Sequence, residues 1–355
     1  MKFKLSLLLS LLIIIGTTFS VGAIEVGGKV EVSSYASISN HDYNNLLAEK
    51  LNLELLLPET ETTAAKFEVD LMTDAESRNS YSRIKKLYIT RKFNNFNLTL
   101  GRQPISWMFG SLINPVDFNL GAEAVNQESF AKNSDALEIF YPINWGSNIN
   151  AVLATGDGGK IKYGVRGRTT FGGYDLTANF VKGRDKLQER IAATAKGDLG
   201  PIGIYGAIGY YLEQDEMIGL VGIDYSFYQG VHQIILQGEY IYDKVGMKNY
   251  LGGVFNNYSS LLSQELGADL LAGTVSYSLD DFNTLKLTSL LHAEDRSLLL
   301  IPEYESQLVG NLDLKLRCGL LLGTQGEVFG PQPMPDSAGQ NNLEGVVELK
   351  ISYPF

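Results

Sequence analysis

Lys160, Lys162, Arg166 and Arg168 lie close together and share one even-numbered register, and Arg190 and Lys196 repeat the pattern further on. Residues two apart on an extended strand share a face, so these cations form a ladder. Lys182 and Arg184 lie near the intervening loop. Glu303 and Glu305, and Glu344 with Glu348, are acidic residues at compatible spacing. A basic ladder facing an acidic wall across an enclosed space sets up a transverse field. A row of like charges on a low-dielectric wall also concentrates the opposite ion. That chemistry selects small charged solutes and breaks no bonds.

The reagents of covalent catalysis are scarce. The histidines are His41, His232 and His292, and the one cysteine is Cys318. Ser289 precedes His292 by three positions, which puts it on the opposite face of a strand. No Gly-x-Ser-x-Gly elbow occurs. The expectation is a protein that is not an enzyme and holds no metal and no cofactor. Cys318 reads as a small apolar residue on an outward row.

The elements that must position the charges are strands. In LEGVVELKISYPF, from Leu343 to Phe355, Leu343, Gly345, Val347, Leu349, Ile351, Tyr353 and Phe355 take every second place. Such alternation marks a strand with one apolar and one polar face. Eighteen such stretches recur, near 24–35, 46–57, 64–74, 83–93, 96–103, 133–143, 147–155, 160–170, 173–182, 187–197, 201–212, 217–228, 231–243, 266–279, 282–292, 298–308, 311–322 and 343–355. Connections after even stretches are short, as at Asn94-Asn95, Gly172-Gly173, Gly200-Pro201 and Asp280-Asp281, while most after odd ones are long. This parity fits an antiparallel meander closed on itself with an even strand number, sixteen being the alternative. Phe93, Phe96, Trp145, Phe171, Tyr174, Phe227, Tyr228 and Phe282 sit beside the short turns. With Tyr353 and Phe355 they read as one interfacial aromatic girdle.

At the N-terminus, Lys2 and Lys4 precede an apolar run from Leu5 to Ile15, and Val21-Gly22-Ala23 fits a cleavage site. Residues 1–23 are expected to be a signal peptide, leaving 24–355 as a single barrel domain. No later apolar run is long enough for a spanning helix. Without Lys2 and Lys4 the chain carries 27 basic against 40 acidic residues, a balance that argues against nucleic-acid partners.

These features resemble bacterial outer-membrane β-barrels, whose last strand ends on an aromatic residue. The resemblance implies that Tyr353 and Phe355 serve as an assembly signal read by the barrel-assembly machinery. It also implies outer-membrane lipids as surroundings, small hydrophilic solutes as cargo, and a monomer or homotrimer. The longest interruption, 101–132, carries Trp107, Met108, Phe109, Leu112, Ile113 and Phe118, too apolar to wave in water. It is expected to fold inward after strand 5 and narrow the lumen. Gly101-Arg102-Gln103, Ile105, Trp107, Asn114-Pro115 and Asp117 look like the Gly-Arg-Gln-x-Ile-x-Trp-Gly…Asn-Pro-x-Asp stretch of porin-like and alginate-export-like barrels. Met108 replaces the usual Gly. The resemblance gives Arg102, Gln103, Trp107, Asn114 and Asp117 a structural part in this constriction segment. The expected function is passive diffusion of small hydrophilic solutes. A channel specific for anionic solutes, carboxylates or acidic sugars, is the alternative, ahead of a non-conducting barrel or a barrel enzyme.

Overall fold

The computed structural model describes residues 24–39, 45–73, 79–107, 109–118, 121–122, 133–155, 161–183, 189–243, 268–333 and 342–355. The expected signal peptide 1–23, together with His41, Met108, Lys160 and Arg184, lies outside the described residues.

Eighteen strands form one closed antiparallel barrel. They are β1 (Glu25–Ser39), β2 (Asn45–Leu56), β3 (Thr63–Thr73), β4 (Ser80–Lys92), β5 (Asn97–Pro104) and β6 (Asn133–Asn144). Next come β7 (Ser147–Thr155), β8 (Ile161–Phe171), β9 (Tyr174–Lys182), β10 (Arg190–Leu199), β11 (Ile202–Tyr211) and β12 (Glu216–Gln229). The last are β13 (His232–Asp243), β14 (Ala268–Ser278), β15 (Asn283–His292), β16 (Leu298–Gln307), β17 (Asp313–Leu322) and β18 (Asn342–Pro354). No α-helix occurs among the described residues; a single 3₁₀ turn, Val309–Asn311, links β16 to β17.

Every strand pairs with its sequence neighbours, and β18 returns to β1 from Lys29↔Pro354 to Ser39↔Leu343. Closure removes both edges, so each ladder is satisfied from strand to strand. The short turns use the expected chemistry. Gly172 and Gly173 have φ of 59° and 86°, the pair of positive values that a two-residue hairpin turn with the right twist demands.

Alternation fixes the faces. Val30, Leu100, Leu153, Val165, Ile208, Val221, Leu287, Leu316 and Leu349 are exposed on the outside, and together they make an apolar belt. A belt of this extent would be a liability in water and is what hydrocarbon requires. Trp145, Phe171, Tyr228 and Phe282 are exposed at the short-turn end, and Phe93 stacks on Phe96 with centroids 4.6 Å apart.

Three irregularities shift the simple register. Pro142 faces Asn148 and Asn144 faces Ser147, so Ile143 is the extra residue on β6. Glu68 faces Lys86 and Val69 faces Ile84, so Lys85 is the extra residue on β4. Ile38 faces Gly345 and Ser39 faces Leu343, so Glu344 is the extra residue on β18. Glu344 is half-buried, but its face no longer follows from counting by twos. Strand limits also move: β1 continues to Ser39, β4 begins at Ser80 and β10 begins at Arg190.

At the seam, Phe355 donates from its N–H to the Gly28 carbonyl and accepts from the Gly28 N–H, both at 3.0 Å. Tyr353 and Phe355 are exposed with the outward row. Deleting Phe355 removes this closing pair, and the expected outcome is less heat-modifiable folded barrel on gel electrophoresis of cell envelopes. A normal folded yield would count against a role in assembly.

Candidate channel constriction

The segment after β5 turns into the lumen. Gln103 is buried and donates to the Ala136 carbonyl at 3.3 Å. Ile105, Trp107 and Phe118 then pack on Ala136, Val152, Ala154 and Val181 of the inner wall. Trp107 and Phe118 meet edge to face at 5.3 Å. Their seat depends on Gly164, where a Cβ would come within 2.8 Å of Trp107 Cη2 and 3.1 Å of Phe118 Cε2.

Beyond this point the tip enters a second core. Leu112, Ile113 and Val116 pack in one cluster with Tyr205, Ile218, Leu220, Ile241 and Leu290. Val328 and Phe329, from the connection after β17, join the same cluster. Two connections from different sides of the barrel therefore fill part of the lumen at its long-loop end.

Polar groups pin both connections. The Asn114 side chain accepts from Val116 N–H at 3.1 Å and donates to the Trp107 carbonyl at 3.2 Å. Asp117 accepts from Trp107 N–H (2.5 Å), Phe118 N–H (2.6 Å) and the Ser106 hydroxyl (2.9 Å). Burial pushes the Asp117 carboxyl up from the ordinary carboxylate range, opposed by these donors and by Arg190. Leu112 and Ile113 donate their N–H groups to the Glu239 carboxylate, the second at 3.2 Å. In the β15–β16 turn, Asp295 accepts from Val328 N–H (2.7 Å) and from Ser297 N–H and hydroxyl (2.9 and 2.7 Å), and lies 2.9 Å from His292 Nδ1. Burial would raise the Asp295 carboxyl, but these donors outweigh it and hold it at about 2.

The basic ladder divides into two parts. Lys162 is buried, with Nζ 4.4 Å above the Phe118 ring, and donates to the Phe118 carbonyl. Arg190 is 0% exposed and donates to the Asp117 carbonyl. These two cations are capped by the inward segment. Arg166 is half-buried between Asn150 and Asn179 of the adjoining strands. Arg168 pairs with Asp175 at 2.7 Å. Lys196 Nζ lies 3.9 Å from Asp224 and 5.5 Å from the Tyr205 ring.

The acidic wall differs from the expectation because it is interleaved with cations. Lys315 bridges Glu303 (2.9 Å) and Glu305 (2.7 Å). Glu348 contacts Arg317 at 2.5 Å and Lys350 at 3.8 Å. The lattice continues across β1–β4, where Glu31 sits between Lys29 and Lys50 at 2.9 and 2.7 Å. Glu68 likewise sits between Lys85 and Lys86 at 2.7 and 2.6 Å.

Arg102 does not join the constriction. It shares parity with Leu98 and Leu100 and grips Asp135 through two bonds of 2.9 and 2.8 Å on the outer side. The physical reason is the pleat: Gln103 turns inward, so its neighbour turns outward. Reading the charges alone also missed Gly164, Tyr205, Gln237, Glu239 and Phe329. One signal was available. Ile218, Leu220, Ile241, Leu270 and Leu299 are apolar in the inward register, which requires that something cover the lumen there.

No family model matches the chain. No curated protein sequence matches it either. Solved structures do. A BenF-like porin from Pseudomonas fluorescens superposes with a TM-score of 0.60 at 10% identity, over 94% of this chain and 98% of that one. OccK2 (OpdF) of Pseudomonas aeruginosa, solved in complex with glucuronate, gives 0.58 at 11% identity, over 93% and 98%. Wzi of Escherichia coli, a carbohydrate-binding barrel involved in capsule assembly, gives 0.59 at 13% identity, over 92% and 84%. The chain shares their barrel fold.

The Gly164 contact yields a direct test. In a Trp145→Phe background, Trp107 is the sole tryptophan. Gly164→Leu should unseat it, shift its emission to the red and open it to iodide, at a stability loss of about 1–3 kcal/mol from overpacking. Unchanged emission in a folded barrel would place Trp107 elsewhere.

Proposed function

We propose that the protein is a porin-like channel of the bacterial outer membrane, exported by the leader 1–23 and passing small hydrophilic solutes. The observation that carries this reading is the apolar segment 105–118 pinned inside a closed barrel whose outer face is a belt of hydrocarbon side chains. A strand-built wall this wide leaves an aqueous passage unless it is filled, and the inserted residues described here pack on one part of the inner wall. Solute class is the finer point. Arg166, Arg168 and Lys196 remain on the inner face beyond the capped Lys162 and Arg190, with Asp175 and Asp224 beside them. They support a preference for anionic solutes such as carboxylates or acidic sugars. The glucuronate bound by OccK2, a barrel of the same fold, is in keeping with that preference.

Planar-bilayer recording in a salt gradient tests both levels. Arg166→Glu with Arg168→Glu should move the reversal potential toward cations. An unmoved potential would leave an unselective pore, and no conductance from folded protein would make the barrel structural.

Deleting residues 106–118 should raise single-channel conductance and strengthen anion preference, because Lys162 and Arg190 lose their caps. Unchanged conductance would mean that the segment does not narrow the path.

A further inference from the structure

We propose that Glu239 is the positioning residue that holds the constriction segment on the wall, and that protonating it frees the tip to close the pore intermittently. The proposal rests on the channel reading for its electrical consequence alone. Glu239 faces inward from β13 and is 4% exposed. Four groups reach its carboxylate, and all are donors. They are the N–H groups of Leu112 and Ile113, the Tyr205 hydroxyl at 2.7 Å and the Gln237 amide at 3.4 Å. A carboxylate is acceptor-only and suits such a ring. The acid form carries an O–H that must find an acceptor. The Tyr205 oxygen already accepts from Gln237 at 2.7 Å, and Gln237 also holds the Gly110 carbonyl at 2.9 Å.

The surroundings isolate this group. The residues opposite it are Gly222 on β12 and Ala272 on β14, neither charged. Gly222 is needed for a second reason: any side chain there would overlap the Tyr205 phenol. From β10 comes Lys196, 5.5 Å from the Tyr205 ring, and from β12 comes Asp224, 3.9 Å from Lys196. Asp117, the segment's own carboxylate, is engaged at its other end by Ser106, Trp107 and Phe118. Asp295 is held at about 2. It therefore stays ionised in mild acid and keeps the Phe329 connection in place. The sign is then simple: the tip is anchored while Glu239 is ionised and released as pH falls.

Hydrogen exchange on the wild-type barrel in detergent is the primary test. After correction for intrinsic rates, the peptide carrying Leu112 and Ile113 should lose about tenfold protection between about pH 7.5 and about pH 4.5, as expected for bonds to a charged acceptor. Glu239→Gln should be poorly protected at both values, because an amide turns further donors on donors. Single-channel closures should become about tenfold more frequent in acid for the wild type, and be frequent at both pH values in the variant. Unchanged wild-type protection, or a variant that keeps the wild-type pH dependence, overturns the proposal. Should Glu239→Gln not fold, the wild-type exchange result decides alone. A barrel that does not conduct refutes the channel reading and leaves the exchange result to judge the anchor.

Discussion

In hydrocarbon, a peptide group without a hydrogen-bond partner costs several kcal/mol. That penalty dictates the architecture here. Eighteen strands share every ladder bond with neighbours, and β18 closes on β1. Once the ladder closes, parity does the rest: each residue faces either lipid or lumen. The belt of Leu, Val and Ile and the inner network of Lys, Arg, Asp and Glu are two readings of the same period of two. Two of the places where the period slips, at Lys85 and Glu344, bring in a charged extra residue. At the first, two lysines converge on Glu68.

The lumen holds a second core that the wall alone would not need. Leu112, Ile113 and Val116 from one connection and Val328 and Phe329 from another meet inward-facing Ile218, Ile241 and Leu290. Apolar burial supplies the drive, and carboxylates supply the position. Asp117, Glu239 and Asp295 each accept backbone N–H groups that the inserted chain would otherwise leave unsatisfied. Lys162 and Arg190 do the converse, donating to carbonyls of Phe118 and Asp117. The inserted segments are thus hydrogen-bonded to the wall much as one strand is to the next.

The strands were legible because alternation and turn residues are local. The spans expected at 147–155 and 311–322 match β7 and β17 within two residues. The inward course of 105–118 was also legible, since Trp107, Ile113 and Phe118 have no stable place in water. Pairings across the wall were not. Glu303 and Lys315 are close only because β16 and β17 align Glu305 with Lys315, and one sequence does not print that register. Arg102 was misplaced by taking Gly101-Arg102-Gln103 as a unit when parity with Leu98 and Leu100 put it outside. Glu239 gave no local sign, because the backbone donors it anchors, Leu112 and Ile113, lie 127 and 126 positions away in the chain.

The interleaved charges of β16–β18 and β1–β4 have a consequence for how far the wall is felt. Opposite charges there lie in contact, as Glu303 with Lys315 and Glu348 with Arg317, although like charges also stand opposite one another, as Lys315 and Lys350. The fields of two opposite ions in contact largely cancel beyond their own separation, whereas each ion acts at full strength on an atom that touches it. That side of the inner wall is therefore electrically quieter at a distance than its crowd of ions suggests, and rich in donors and acceptors at its surface.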